Sequence, residues 1–258
     1  SDLQKRLQKL MELEETSREI VSQSELPRMF QQYIIFVLDA SRSMRQPSVN
    51  QNSKAHEVHI AIESVLNRLM KSKNVNSFDI GLWCFSDKNY PIFKLKPVKE
   101  LKGANFNPVI LVNEPGDTYL NPTLEDIEHE IKKYCNENFT KNHQVLILLL
   151  TDGALDDREP SLTTIKRIKR NANVTISAIH FQKFIDQNSQ YYSWDEKTGQ
   201  IDYTKPWTIE QVKDNEERIG ERFREFASSE TFFVNTLNPD EIRNHMIKSV
   251  SATSKLDY

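Results

Sequence analysis

Residues 33–44 read YIIFVLDASRSM: an apolar run rich in β-branched residues extends from Tyr33 to Leu38 and stops at Asp39. A strand with one wet face alternates polar and apolar residues. An unbroken run instead marks a strand buried on both faces, as in a parallel sheet covered by helices. The same signature returns at FDIGLWCF (78–85), VLILLL (145–150) and VTISAIH (174–180), with a shorter TFFV at 231–234. Helical spacing of apolar residues fills the intervals near 54–72, 123–137, 161–170, 214–228 and 239–250. This alternation predicts an α/β fold, a doubly wound sheet with helices on both faces. PIFKL at 91–95, after a short turn at 86–90, predicts an antiparallel edge strand.

The bulk numbers bound the function. A length of 258 residues suits one α/β core with attachments better than two full domains. Lys+Arg 34 against Asp+Glu 37 gives a net charge of -3, which carries no electrostatic footprint for nucleic acid. Cys84 and Cys135 are far apart and outside any CxxC pattern, which points away from a disulfide framework or zinc site and toward a reducing, cytoplasmic setting. No run approaches the 18 or so apolar residues of a membrane span, and the opening SDLQKRLQKL lacks the apolar stretch of a signal peptide. Two sequons, Asn138-Phe139-Thr140 and Asn173-Val174-Thr175, would suit an extracellular protein, but such short matches arise often by chance.

Two segments stand outside the strand-helix rhythm. Residues 1–27 are highly charged, with Leu3, Leu7, Leu10, Ile20 and Val21 at helical spacing and Pro27 closing the stretch, which predicts an amphipathic helix. That leaves 28–258 for the main domain. Within it, 184–213 is polar yet carries Tyr191, Tyr192, Trp194, Tyr203 and Trp207, and its YYSW-DEKTG-QIDY core predicts an inserted hairpin turning at Gly199. Connections this long in a compact α/β domain are more often functional or disordered than idle.

Ligands of open parallel sheets bind at the carboxyl ends of the strands, where the winding direction switches. Asp39-Ala40-Ser41-Arg42-Ser43 follows the first strand, and Thr151-Asp152-Gly153 follows VLILLL. Gly116-Asp117-Thr118 lies between them, in a turn that opens a helix. Alone, the first of these loops reads equally well as a strand-to-helix connection whose serines cap backbone amides. With Thr118 and Asp152 it becomes a set of oxygen donors on three loops. Carboxylates and hydroxyls without His or Cys suit a hard cation, Mg²⁺ or Mn²⁺, with a coordination position left for water or an incoming anion.

As a set and in this order, Asp-x-Ser-x-Ser, Gly-x-Thr and Thr-Asp-Gly resemble the metal-ion-dependent adhesion site (MIDAS) of von Willebrand factor A-type domains. The resemblance spans roughly 31–250. It implies a Rossmann-like, mostly parallel six-stranded sheet of order 3-2-1-4-5-6, and a metal held by Asp39, Ser41, Ser43, Thr118 and Asp152. It further implies a protein-binding module whose cation is completed by an Asp or Glu of a partner, with intracellular members of the family often serving as scaffolds or adaptors. Arg42 replaces a small residue common in the family, Asp117 adds acidity, and 96–115 lacks the helix expected before the threonine. Arg42, Asp117, Tyr191, Tyr192 and Trp194 are the candidate partner contacts, the aromatics because their hairpin emerges at the metal's edge of the sheet.

An enzyme is disfavoured. There is no GxxxxGK[ST] phosphate loop, GxGxxG turn or GxSxG elbow, and Ser41 stands where a phosphotransferase of the Asp-x-Asp kind needs its second carboxylate. Metal-assisted hydrolysis and extracellular adhesion are the alternatives to an intracellular binding module. His56 and His59, three apart on a helix, lack further convergent ligands and read as solvated or core residues. Asp156 and Asp157 read as loop charges near the next helix.

Overall fold

The YIIFVLD run forms β1 (Phe30–Asp39), whose last nine residues are all buried. The computed structural model describes residue 8 and residues 30–254 apart from 115 and 196, so the amphipathic helix expected over 1–27 lies, apart from residue 8, outside the described residues. On one side β1 pairs in parallel with β2 (Phe78–Phe85), Ile34 opposite Ile80. β3 (Asn89–Pro97) then runs antiparallel along β2 as the expected edge. On the other side β1 pairs with β4 (Asn142–Thr151), which is followed by β5 (Val174–Phe181). β6 (Tyr191–Asp195) and β7 (Gln200–Trp207) pair only with each other, and β8 (Phe233–Thr236) closes the main sheet beside β5. Counted along the chain, the six strands of that sheet stand in the order 3-2-1-4-5-6.

Successive side chains of a strand face opposite ways, so β1 divides its apolar residues between two cores. Ile34, Phe36 and Leu38 pack with α1 (Lys54–Met70) and α5 (Pro239–Thr253) through Val58, Ile62, Ile242 and Met246. Tyr33, Ile35 and Val37 pack with α2 (Asn121–Glu137) and α3 (Arg158–Ile168) through Leu124, Ile127 and Ile165. β4 repeats the division, Leu146, Leu148 and Leu150 against Val145, Ile147 and Leu149. Each central strand therefore fills both cores, which is why its sequence does not alternate.

Two boundaries differ from the periodicity. α4 (Ile209–Phe223) starts before residue 214, because Thr208 accepts from the Gln211 amide at 3.2 Å while Gln211 Oε1 accepts from the Thr208 amide at 2.9 Å. This reciprocal box starts the helix at once. The last strand is Phe233–Thr236 because Glu230–Phe232 form a 3₁₀ turn. Among the described residues between β3 and α2 there are two short helical turns, Val98–Leu101 and Pro108–Leu111, in keeping with the missing helical pattern.

Two measurements check this packing. Leu148→Ala, at a fully buried position in mid-sheet, is expected to cost about 2–5 kcal/mol in a denaturant titration. His245 on α5 shares a 2.8 Å hydrogen bond with Ser177, and burial lowers its imidazole to about 4 from the usual 6.5. Between those values the unfolded chain binds the extra proton, so His245 supports the fold above about pH 6.5 and that support is lost as pH falls toward 4. In His245→Gln the loss of stability over that window should be shallower.

Candidate metal centre

The sheet changes winding direction at β1, and the carboxyl ends of β1 and its neighbour β4 bring Asp39 and Asp152 to the same edge. Asp39 is fully buried and holds the loop that follows it: Oδ1 accepts from the Ser41 amide at 2.8 Å, and Oδ2 accepts from Thr151 Oγ1 at 2.7 Å. A 3₁₀ turn over Arg42–Arg45 then places Ser41 and Ser43 together, their hydroxyls 3.0 Å apart. Ser43 Oγ donates to Asp152 Oδ1 at 2.7 Å, closing the circuit from the β1 loop to the β4 loop. Four of the five candidate ligands thus converge. Among the described residues, no cluster of three or more His, Cys, Asp or Glu could hold a metal.

Electrostatics sets the character of the centre. Burial, then the charge of Asp152, pushes Asp39 up to about 7 against the lowering effect of its bonds from Ser41 and Thr151. Asp152 Oδ2 is ion-paired with Lys54, the first residue of α1, and both side chains are shut off from water. Nothing in the helical pattern of 54–72 marks Lys54 as different from a solvated lysine. His180, opposite Thr151 on β5, donates from Nδ1 to Asn235 Oδ1 at 2.9 Å, and burial lowers its imidazole below the usual value.

Thr118 is half-buried in the neighbouring loop, and its hydroxyl forms no hydrogen bond with the other four candidates among the described residues. Its backbone is nonetheless fixed. The Thr118 amide donates to Asp156 Oδ2 at 2.8 Å, and the Thr118 carbonyl accepts from the Asp156 amide at 2.9 Å. Asp157 accepts from the Leu120 and Asn121 amides at 2.8 and 2.6 Å. Leu120, at the N-cap of α2, has no side-chain oxygen to serve those amides, so Asp157 caps the helix from across the site. On the far side Ser86 Oγ accepts from the Gly116 amide at 2.8 Å and donates to the Asp117 carbonyl at 3.2 Å. Asp156 and Asp157 are therefore clamps on the Thr118 loop, a role beyond that of loop charges.

The candidate partner contacts divide. Arg42 and Asp117 are exposed on loops of the site's edge. The hairpin forms as expected, with Gly199 at a φ of 66° that a side chain would strain. Tyr191 and Tyr192 are half-buried and engaged locally: the Lys183 ammonium lies 5.0 Å over the Tyr191 ring, and Tyr192 meets Tyr203 at 5.2 Å between centroids. Trp194 and Tyr203 face solvent at 58% and 72% exposure, which makes Tyr203 a contact candidate of equal standing. His59 accepts from the Phe106 amide at 3.2 Å, a structural role.

Residues 34–199, which include all five candidate ligands, match the sequence profile described as von Willebrand factor type A domain. Among solved structures, proximal thread matrix protein 1 of the mussel byssus aligns with a TM-score of 0.53 at 18% identity, over 88% of this chain and 47% of its own. A further structure of that protein has a zinc-occupied MIDAS motif. The pilus adhesin SpaC of Lactobacillus rhamnosus GG aligns with a TM-score of 0.58 at 14% identity, over 86% of this chain and 30% of its own. BatB of Bacteroides thetaiotaomicron, a conserved hypothetical protein, aligns at 0.51 and 14% identity over 87% of this chain and 99% of its own. At these identities the likeness is one of fold, and the chain spans about half the length of the mussel protein. No curated protein sequence matches the chain.

Asp157→Ala removes the acceptor of two helix-opening amides and should cost about 1–3 kcal/mol in a denaturant titration. Amide hydrogen exchange at Leu120 and Asn121 should accelerate in the same variant, and unchanged protection there would contradict the clamp.

Proposed function

The chain belongs to the von Willebrand factor type A domain family, and from that premise we propose that it is a metal-dependent protein-binding module. Asp39, Ser41, Ser43, Thr118 and Asp152 would hold a divalent cation, Mg²⁺ or Mn²⁺, and an Asp or Glu of a partner protein would complete its coordination. The observation that carries this reading is the convergence of Ser41, Ser43 and Asp152 at the switch of the sheet, with Asp39 buried beside them. The residues fit the ion. Two carboxylates close enough for one to raise the other are an arrangement that a bound cation relieves, and hydroxyls complete a hard oxygen set. The cation would supply an electrophilic point for a carboxylate oxygen.

This chain's residues then do the positioning. Asp39 shapes the serine loop through the Ser41 amide, Ser43 ties that loop to Asp152, and Asp156 and Asp157 fix the backbone of Thr118. Arg42 and Asp117, exposed on the same edge, would tune which acidic groups approach, and the exposed Trp194 and Tyr203 would add apolar contact. A binding role is also in line with two proteins of similar fold, a matrix protein of the mussel byssus and a pilus adhesin. We propose an intracellular setting on the ground of the two free cysteines, and a role as scaffold or adaptor by analogy with intracellular members of the family. Among the described residues no helix is long and apolar enough to cross a membrane.

The test is a pull-down from the native cell with wild type, Asp39→Ala and Thr118→Ala, each with and without chelator. Proteins captured by the wild type should be lost with both variants and in chelator. Thr118→Ala is the cleaner variant, because the Asp39 carboxylate also holds the Ser41 amide and the Thr151 hydroxyl. Capture that persists unchanged in excess chelator rejects the metal-bridged reading. Deleting 187–206 should weaken capture while leaving metal binding intact, and unaltered capture would remove the hairpin from the interface.

A further inference from the structure

Lys54 is a lysine almost without solvent contact, 1% exposed, at the first position of α1. The helix dipole makes that position unfavourable for a cation and favourable for an anion. A buried ammonium there needs a compensating charge, and it has one: its ion-pair partner is Asp152, whose side chain is completely buried. The side chain is delivered by a stapled loop. The Lys54 amide donates to the Gln46 carbonyl at 3.0 Å, Pro47 bridges to Ser53, and Ser53 caps the helix by accepting from the His56 amide at 3.1 Å. The loop between is pinned in turn by Glu57, buried, which accepts from Asn52 Nδ2 at 3.0 Å. The lysine is thus built into the site.

Its position divides the Asp152 carboxylate in two. Oδ1 faces the serine hydroxyls through Ser43, while Oδ2 faces Lys54. The buried Asp152 carboxylate beside Asp39 is already balanced by the Lys54 ammonium. We propose that the Lys54 ammonium is the resting counter-ion of this centre, so that the domain keeps its fold without a divalent cation and an incoming cation competes with Lys54 for Asp152. This rests on the reading of Asp39 to Asp152 as a metal site and adds a determinant to it: Lys54 sets how tightly the ion is held. A weakly held ion would be retained chiefly when a partner's carboxylate joins it, which makes metal and partner bind cooperatively.

The experiment uses the whole chain with Mn²⁺ as probe, in calorimetric titration and in thermal melts with chelator or Mn²⁺. Wild type should melt at nearly the same temperature in both conditions. Lys54→Met should bind Mn²⁺ at least about tenfold more tightly, since a unit charge is removed beside the ion. Its melting temperature, lowered in chelator by the uncompensated Asp152, should rise with Mn²⁺ by more than that of the wild type. Lys54→Gln keeps a polar group facing Asp152 without the charge; it is read in the same way and takes the place of Lys54→Met if that variant does not fold. Adding Asp39→Ala to either should abolish the gain, showing that the ion sits at this centre. Mn²⁺ binding by the variants at wild-type affinity, or a stability loss equal with and without Mn²⁺, makes Lys54 a structural ion pair and overturns the proposal while leaving the metal site standing. Absence of Mn²⁺ binding in wild type and variants alike overturns both.

Discussion

Two carboxylates leave the adjacent central strands of this sheet at the same end, and the top of the molecule is organised around keeping them there. Each is costly to bury charged. Asp39 is compensated by the Ser41 amide and the Thr151 hydroxyl, and Asp152 by the Ser43 hydroxyl and the Lys54 ammonium. Through those partners the acids dictate the course of the loop after β1, the turn after β4 and the start of α1. The parallel register that sets β1 beside β4 is the more distant cause, because a slip of one residue would turn either acid to the other face.

The Thr118 loop is governed by a related constraint. α2 begins with amides that its own N-cap residue, Leu120, cannot serve. Asp157 reaches them from the start of α3, and Asp156 engages Thr118 on both its backbone groups. Ser86, just beyond β2, holds the opposite flank. A loop with no regular structure is thus set in place by polar groups from the end of β2 and the start of α3.

Much of this was legible in the sequence, for a physical reason. Strands buried on both faces leave continuous apolar runs, so β1, β2, β4 and β5 declare themselves, and the acids that end two of those runs mark the site. What escaped depends on tertiary context. Lys54 follows a helix-capping serine and looks like any solvated lysine, and its burial is decided by Asp152, almost a hundred positions along the chain. Asp156 and Asp157 look like loop charges unless one asks which groups satisfy the first amides of α2. The early start of α4 was present in Thr208-Ile209-Glu210-Gln211, a capping box that apolar periodicity alone passes over.

The hairpin of β6 and β7 differs from every other strand pair here in taking no partner from the main sheet, and none of its residues enters either buried core. Its length and side chains are therefore free of the packing constraints of the two cores. Such a segment can diversify between descendants of a common ancestor while the scaffold beneath stays fixed, much as an antibody varies its loops upon a constant framework. In this molecule the sequence of the hairpin can change while both buried cores stay as they are.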